Sequence, residues 1–403
     1  MWRLFAATLV NRLGGFVVPF LALYLGSTRG LSPSAVGLVV GCFGAGAIVG
    51  GPLGGFLADR AGRRRTITLG HSLTALAMLL VAIADNAFAL AGTCLLLGAS
   101  AEMQRPAVSA MLADLVPEQN RTRAFALIYW AANIGFACAS ILAGLAAHLS
   151  FGVLFVVDAA TCLAAALLVR FTLPETLGRG APTGRPARTP RWTDVLTPFK
   201  DSAFRWFFAA SLLLALVFFQ FHVAMPLDMR AHGIQPATYG LLVALNGGLV
   251  VALQPFATRL VLRLPRRAAL AFASVLVALG FGLFGLTSTP LGYAIAISVF
   301  TIGEVVMAPV NPAVVSELAP SHLRGTYQGA YGLAISGASC FAPVLGGSVL
   351  AHVGSGALWL SAFLLGLVAA AVHLAARGRS AEPTPEPLAD GAAAQHLNGA
   401  LDA

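Results

Sequence analysis

We single out five ionisable side chains that lie inside long apolar stretches of the sequence. They are Arg12, Glu102, Arg105, His222 and Glu304. An ionisable group near the centre of a lipid bilayer costs at least about 2.5 to 3.5 kcal/mol, so each of these residues is a candidate for function. Removal from water favours the neutral form of a carboxyl group. The two glutamates are therefore expected to take up and release protons.

These two glutamates occupy equivalent positions. Glu102 precedes Asp114 by twelve residues, and Glu304 precedes Glu317 by thirteen. At 1.5 Å per helical residue, each glutamate lies roughly 18 to 20 Å from the end of its helix, which is near the middle of a bilayer. The spacing predicts one carboxyl group in each half of the chain at a similar depth.

The neighbours of the two glutamates differ. Arg105 follows Glu102 by one helical turn, and an ion pair between them would keep Glu102 charged. Glu102 is therefore either a proton carrier or the structural partner of Arg105, and the sequence leaves both open. Glu304 has Met307 at the corresponding position and is the better candidate for the proton carrier. Arg12 is a candidate partner for either carboxylate or for an anion.

The elements that carry these residues are long apolar helices. The chain of 403 residues is 58% hydrophobic and 10% charged, whereas soluble domains are about 45 to 50% apolar and about 25% charged. A helix needs about 20 apolar residues to cross a bilayer. The sequence predicts an all-α integral membrane protein with twelve spans, at 3–25, 34–58, 66–87, 88–111, 123–148, 152–172, 204–230, 237–262, 267–288, 290–315, 324–351 and 355–376.

Basic residues concentrate on one side of these spans. Of the 25 Lys and Arg, only Arg29 and Arg230 fall in loops that follow odd-numbered spans. The positive-inside rule then predicts a cell-membrane protein with both termini in the cytoplasm, and it explains the basic charge without nucleic acid. The five cysteines lie inside predicted spans without the spacing of metal ligands, so neither a metal site nor a disulfide is expected.

The chain is internally duplicated. A segment rich in Pro, Gly and Arg at 174–203 separates six spans from six, which predicts bundles at 1–173 and 204–376, a cytoplasmic linker between them and a disordered tail at 377–403. At an offset of 203 residues, "PLGGFLADRAGRR" aligns with "PFATRLVLRLPRR", and further on "RPAVSAML" resembles "NPAVVSEL" at an offset of 206. Parallel six-helix repeats that hold a substrate near the midplane between them are a known transporter design.

The stretch "GGFLADRAGRRRTI" at 54–67 is the densest cluster of charge. It resembles the signature between the second and third helices of the major facilitator superfamily, and residues 1–376 are similar to that family, most closely to its bacterial twelve-helix drug:proton antiporters. The resemblance implies a cytoplasmic latch, in which the signature aspartate lies near the start of the eleventh helix and the arginines near an acid at the end of the fourth. Its members here would be Gly55, Asp59, Arg60, Gly62, Arg63, Arg64 and Asp114. Alternatively, the arginines serve only to set topology.

Polar and aromatic residues of the seventh, eighth and tenth spans are candidates for a substrate cavity. They are Phe218, Gln220, His222, Asn246 and Asn311. Such a wall suits amphipathic ligands. Polar side chains that hydrogen-bond across packed helices explain the same residues equally well.

The resemblance implies a proton-coupled exporter of small hydrophobic or amphipathic compounds, acting as a monomer in the lipid bilayer by alternating access. An importer or facilitator for a metabolite such as a sugar, an amino acid or an organic anion is the alternative. The sequence contains no HExxH, GxSxG or GK[ST] motif. We therefore expect no enzyme activity, no catalytic residues and no cofactor, with the proton gradient as the energy source.

Overall fold

The computed structural model describes residues 2–15, 17–117, 121–146, 151–177, 192–261, 264–320 and 323–375. These residues form helices and no strand, and twelve of their helical spans are long and apolar enough to cross a membrane. The predicted all-α, twelve-span fold is confirmed. The fourteen α-helices are α1 (Trp2–Leu13), α2 (Val17–Ser27), α3 (Pro33–Arg60), α4 (Arg63–Ile83), α5 (Ala87–Leu115), α6 (Arg121–Ala146), α7 (Phe151–Thr172), α8 (Ser202–Phe218), α9 (Ala224–Ala231), α10 (Pro236–Val261), α11 (Arg266–Phe284), α12 (Pro290–Leu318), α13 (Arg324–His352) and α14 (Ser355–Ala375).

The first and seventh spans, which the sequence predicts as continuous, are each broken. The first consists of α1 and α2, and the seventh of α8, a 3-10 turn at Phe219–Phe221, and α9. Each break lies about four residues before a proline, because Pro19 follows Gly15 and Pro226 follows His222 by four. A proline ring clashes with the carbonyl group four residues earlier and lacks the N–H that would bond to it. One proline in each span therefore divides that span into two half-helices.

The helices of the two halves pack in the same pattern. In the amino-terminal half (the N half), α1 packs on α6 and α7, α4 on α5 and α7, and α3 on α5. In the carboxy-terminal half (the C half), α8 packs on α13 and α14, α11 on α12 and α14, and α10 on α12. This correspondence is what two parallel repeats require. Most of the linker (178–191) and the tail from residue 376 lie outside the described residues, so the proposed boundaries stay predictions.

The halves meet through α3 with α13 and α6 with α10. Glycines permit the contact, since a Cβ on Gly37 would meet the carbonyl oxygen of Pro343 and a Cβ on Gly240 would meet that of Ser140. The hydroxyl of Tyr239 also donates to the carbonyl oxygen of Pro19 across this interface. These contacts lie toward the ends of the helices that join the arginine-poor loops, and we call that side the arginine-poor face.

Candidate functional site

A cavity of about 260 Å³ lies against the C half. Its wall combines apolar and aromatic side chains with a few polar ones. Phe218 of α8, Glu304, Met307 and Asn311 of α12, and Tyr129 of α6 all contribute to the lining. Because Tyr129 belongs to the other half, the cavity lies where the two halves face each other.

Glu304 lies at the centre of α12, fourteen residues from Pro290 and fourteen from Leu318. It is therefore roughly 21 Å from either end of that helix. The side-chain amide of Asn246, on α10, donates to Glu304 Oε2 at 2.8 Å and lies 2.9 Å from Thr301 Oγ1. Asn246 is buried, so this hydrogen bond fixes the carboxyl group between α10 and α12.

The residues expected at a substrate cavity are divided by the structure. Phe218 and Asn311 line the cavity, and Asn246 lies behind it, bonded to Glu304. Gln220 donates to the carbonyl oxygens of Ala342 at 2.9 Å and Leu216 at 3.2 Å, which ties the broken seventh span to α13.

The remaining residue of that set, His222, packs among aromatic rings at the end of the 3-10 turn. Its ring contacts those of Phe218, Phe219 and Phe221. Its Nδ1 atom is buried and has no hydrogen-bond partner in the described part of the chain. Both His222 and Gln220 therefore lie within the packing of the broken seventh span.

The N half carries the second group of intramembrane charges. Arg105 Nη1 lies 3.0 Å from Glu102 Oε2, with 68% of the arginine side chain and 30% of the glutamate side chain exposed. Arg12, at the end of α1, is within electrostatic range of Glu102, Arg105 and Asp158. The structure thus pairs Glu102 with Arg105 and leaves Arg12 beside that pair. Arg12 forms no ion pair with either predicted carboxylate, Glu102 or Glu304, within the described residues.

Sequence reasoning missed Asp158 of α7. Its carboxylate is buried, and its Oδ2 accepts a hydrogen bond at 3.1 Å from the backbone N–H of Val17, the first residue of α2. A negative charge is favoured at a helix amino terminus. A single aspartate in an apolar span was the available signal, but its role depends on the break in the first span, which the sequence analysis did not predict.

Asp228 of α9 was also missed. It is buried, and its Oδ2 accepts from the hydroxyl of Tyr293 at 2.7 Å and from the indole N–H of Trp359 at 3.2 Å. His232 Nδ1 lies 3.7 Å from its other oxygen. Since these partners belong to α12 and α14, Asp228 holds the half-helix α9 against its own bundle.

The charged stretch at 54–67 forms contacts within the N half. Arg63 Nε lies 3.3 Å from Asp114 Oδ2, and Arg63 Nη2 lies 3.6 Å from Asp59 Oδ1. Asp59 has 75% of its side chain exposed, and Arg60 stacks over the ring of Phe56 at 4.5 Å. The structure therefore pairs Arg63 with Asp114, the acid at the end of α5. The halves meet near the arginine-poor face, at the opposite ends of these helices.

Glu175, another residue that the sequence analysis did not select, organises this turn. Its Oε1 accepts from the backbone N–H groups of Arg63 at 2.8 Å, Thr176 at 2.9 Å and Leu177 at 3.2 Å. Burial raises the pKa of Glu175, but these donors and the N–H of Arg64 together hold that pKa below its ordinary value. Glu175 thus supplies an acceptor at the amino terminus of α4.

Gly62 of the signature is required by this arrangement. Its φ of 106° is in the region that favours glycine, and a Cβ there would collide with the carboxylate of Glu175. Gly55 of the same signature has open space around its Cβ position. Of these two glycines, only Gly62 is required by the backbone conformation and the space around it.

Several known proteins resemble this chain. A Na⁺, Li⁺, K⁺/H⁺ antiporter of Planococcus maritimus is 28% identical over 378 residues, which are 85% of this chain and 87% of the antiporter. The quinolone resistance protein NorA of Staphylococcus aureus is 31% identical over 136 residues, 34% of this chain and 35% of NorA. The crystal structure of the nucleoside transporter NupG superposes with a TM-score of 0.77 at 17% identity, covering 93% of this chain and 98% of NupG. This last likeness shows a shared fold.

The family of this chain is shown by a match to a family profile over most of its length. The profile of the Major Facilitator Superfamily matches residues 4–336, with a second match at residues 221–399. The twelve spans and the repeated packing of two six-helix halves agree with that match. The chain therefore belongs to the Major Facilitator Superfamily and is a multi-pass membrane protein that acts as a secondary transporter, without a cofactor and not as an enzyme.

Proposed function

We propose that this transporter exports small amphipathic compounds from the cell in exchange for protons. The observation that carries the proposal is Glu304, a carboxyl group at the centre of α12 that lines a largely apolar cavity between the halves. Both halves of one chain line the cavity, and we propose that the transporter acts as a monomer. The quinolone resistance protein among its relatives is consistent with amphipathic substrates.

Glu304 couples the export of substrate to the entry of protons because the two compete for its carboxyl group. Its charged form accepts a hydrogen bond from Asn246 and attracts the polar or basic end of a substrate. Its protonated form is favoured in the apolar wall once the substrate leaves. Proton and substrate therefore occupy the same carboxyl group in turn, which is the requirement for exchange.

The contacts between the halves determine from which side of the membrane the cavity can be reached. They lie toward the arginine-poor face, and we assign the arginine-rich face to the cytoplasm by the positive-inside rule. The conformation described here then opens toward the cytoplasm, ready to take up a compound for export. The half-helices α2 and α9 contact each other across the interface and form the external gate.

Exchange of monovalent cations for protons is the second candidate. It is favoured by the antiporter of Planococcus maritimus, which is similar over 85% of this chain. Hard cations are held by several oxygen ligands, whereas among the described residues Glu304 contributes the one carboxyl group of the cavity lining. The wall is therefore better suited to an amphipathic compound than to a bare cation.

Inverted membrane vesicles test both candidates. Respiration acidifies the vesicle interior, and a pH-sensitive dye reports proton release when a compound is added. Naphthyl amphiphiles should release protons, whereas NaCl, LiCl and KCl should not. The Glu304→Gln variant should release none. Glu317→Gln, at the exposed end of the same helix and paired with Arg266 at 3.2 Å, is the matched control and should behave as wild type. Release by the salts alone would instead establish cation exchange.

A further inference from the structure

The break in the first span places a positive charge in the middle of the N half. Arg12 is in the last turn of α1, and α2 begins five residues later at Val17. Arg12 is ten residues from Trp2, so it lies about 15 Å along the helix, near the middle of a bilayer. A half-helix amino terminus also carries a partial positive charge. Asp158 already caps that terminus, so the full charge of Arg12 is what the break offers to a ligand.

Arg12 faces the interior of the protein rather than lipid. The charged groups in its electrostatic range, Glu102, Arg105 and Asp158, belong to α5 and α7. Helix α1 packs on α6 and α7, whereas α5 packs mainly on α3 and α4. The guanidinium thus lies among charged groups of its own half. Arg12 is nevertheless not enclosed by protein atoms, which leaves room for a ligand beside it.

The neighbouring carboxylates are already engaged. Glu102 is paired with Arg105 at 3.0 Å. Asp158 is buried and accepts the backbone N–H of Val17. Among the described residues, Arg12 has neither a hydrogen-bond acceptor nor an ion-pair partner. Five guanidinium donors are therefore free to bind a planar acid in a bidentate manner.

We propose that Arg12 is a binding subsite for an acidic group of the substrate, so that the preferred substrates are amphipathic zwitterions. Helix α6 connects this subsite to the cavity of Glu304. A Cβ on Gly135 would touch Arg12 Cβ, and Tyr129 lines the cavity. These two residues are six apart, about 9 Å along α6. The proposal assigns the acid of the substrate to Arg12, its apolar body to the side of α6 and its basic group to Glu304.

This assignment deepens the proposed export function and rests on it. A basic group at Glu304 competes with the proton, which preserves exchange, while the acid at Arg12 adds affinity without entering that competition. A plain lipophilic cation uses only one of the two subsites. The structure therefore assigns tighter binding to the zwitterion.

A matched pair of ligands tests the assignment on the full-length protein in lipid nanodiscs. 6-(Aminomethyl)-2-naphthoic acid is a zwitterion, and its methyl ester is a cation with the same ring system and amine. Naphthalene fluorescence anisotropy measures both dissociation constants. The wild-type protein should bind the acid at least tenfold more tightly than the ester, as expected for a charge-assisted bidentate contact.

Three variants locate the effect. Arg12→Gln should remove the preference for the acid and leave the affinity for the ester within about twofold. Arg12→Lys keeps the charge but not the planar fork, so it should retain part of the preference even if the Gln variant is poorly folded. Arg170→Gln removes an equal charge near the end of α7, beside Phe171, and should change neither constant.

The possible failures are distinguishable. The subsite is refuted if both Arg12 variants keep the wild-type ratio of acid to ester affinity, or if the wild-type protein does not prefer the acid. In either case, transport of the ester in vesicles would still support the export function. Binding that depends on Arg12, together with the absence of proton release in vesicles, would retain the subsite and overturn proton-coupled export.

Discussion

The two halves share one packing pattern but surround their equivalent glutamates differently. Glu102 is paired at 3.0 Å with Arg105, next to a further arginine. Glu304 is held by the neutral amide of Asn246 and has Met307 one turn away. An ion pair keeps a carboxylate charged, whereas an apolar wall favours its protonated form. The duplicated fold therefore provides two similar positions, and we propose that the local neighbours decide which of them exchanges protons.

The largest expected effect comes from exchanging each glutamate for glutamine. Glu304→Gln should abolish proton-coupled transport because a permanently neutral side chain cannot alternate between proton and substrate. Glu102→Gln should retain transport. Since Arg105 has 68% of its side chain exposed, loss of its partner should cost under about 1 kcal/mol. Vesicle transport and thermal unfolding of both variants measure this difference. Equal loss of transport in the two variants would contradict the distinct roles.

Giving the C half the arginine of the N half is the next test. Met307→Arg places a guanidinium one turn after Glu304, in the cavity lining, and reproduces the sequence relation of Glu102 and Arg105. The new charge should hold Glu304 ionised and repel a basic group of the substrate. Transport at neutral pH should fall at least tenfold, about 1.4 kcal/mol. Met307→Leu, which keeps the site apolar, is the control and should remain active.

The sequence predicted the positions of these groups better than their partners. The distances of Glu102 and Glu304 from the acids at their helix ends predicted that both lie near the centres of their helices, and the three-residue spacing to Arg105 gave the ion pair as one of two alternatives for Glu102. The role of Asp158 was not predicted because its contact with Val17 joins residues that are 141 positions apart. Glu175 bonds to Arg63 across 112 positions. Helical periodicity describes neighbours within one helix, and it contains no information on such distant contacts.

The breaks of the first and seventh spans were accessible to sequence reasoning but were not predicted. Pro19 and Pro226 each disrupt the helical hydrogen bond to the residue four positions earlier. Both prolines lie within long, mainly apolar stretches, so hydropathy alone favours one continuous span. The geometric effect of proline determines the break, and the break in turn creates the position that Asp158 caps.

The turn between the second and third spans provides a smaller test of the difference between the halves. Gly62 has a φ of 106° in the N half, whereas Pro265 precedes α11 at the equivalent place in the C half. Gly62→Ala should destabilise the protein by about 1 to 3 kcal/mol because alanine disfavours this conformation and its Cβ collides with Glu175. Gly55→Ala, where the Cβ position is open, is the matched control. Equal unfolding temperatures for the two variants would refute the steric argument.

The smallest effect should come from Glu175 and should depend on pH. Glutamine at this position keeps the size of the side chain but loses the negative charge at the amino terminus of α4. The expected cost at pH 7 is about 1 kcal/mol, the upper value for an exposed charge at a helix terminus.

The sign of the pH dependence follows from the lowered pKa of Glu175 in the folded protein. A carboxyl group whose pKa is depressed by folding stabilises the folded state above its unfolded pKa of about 4.3 and loses that contribution as the pH falls further. The unfolding temperatures of wild type and Glu175→Gln should therefore differ at pH 7 and converge below about pH 4. The equivalent C-half turn begins at Pro265, so Arg267→Gln, which removes an exposed charge that forms no ion pair among the described residues, should give a difference that does not follow this titration. A constant gap between wild type and Glu175→Gln across the same pH range would show that the Glu175 charge does not stabilise the turn, and that the side chain acts there through its shape alone.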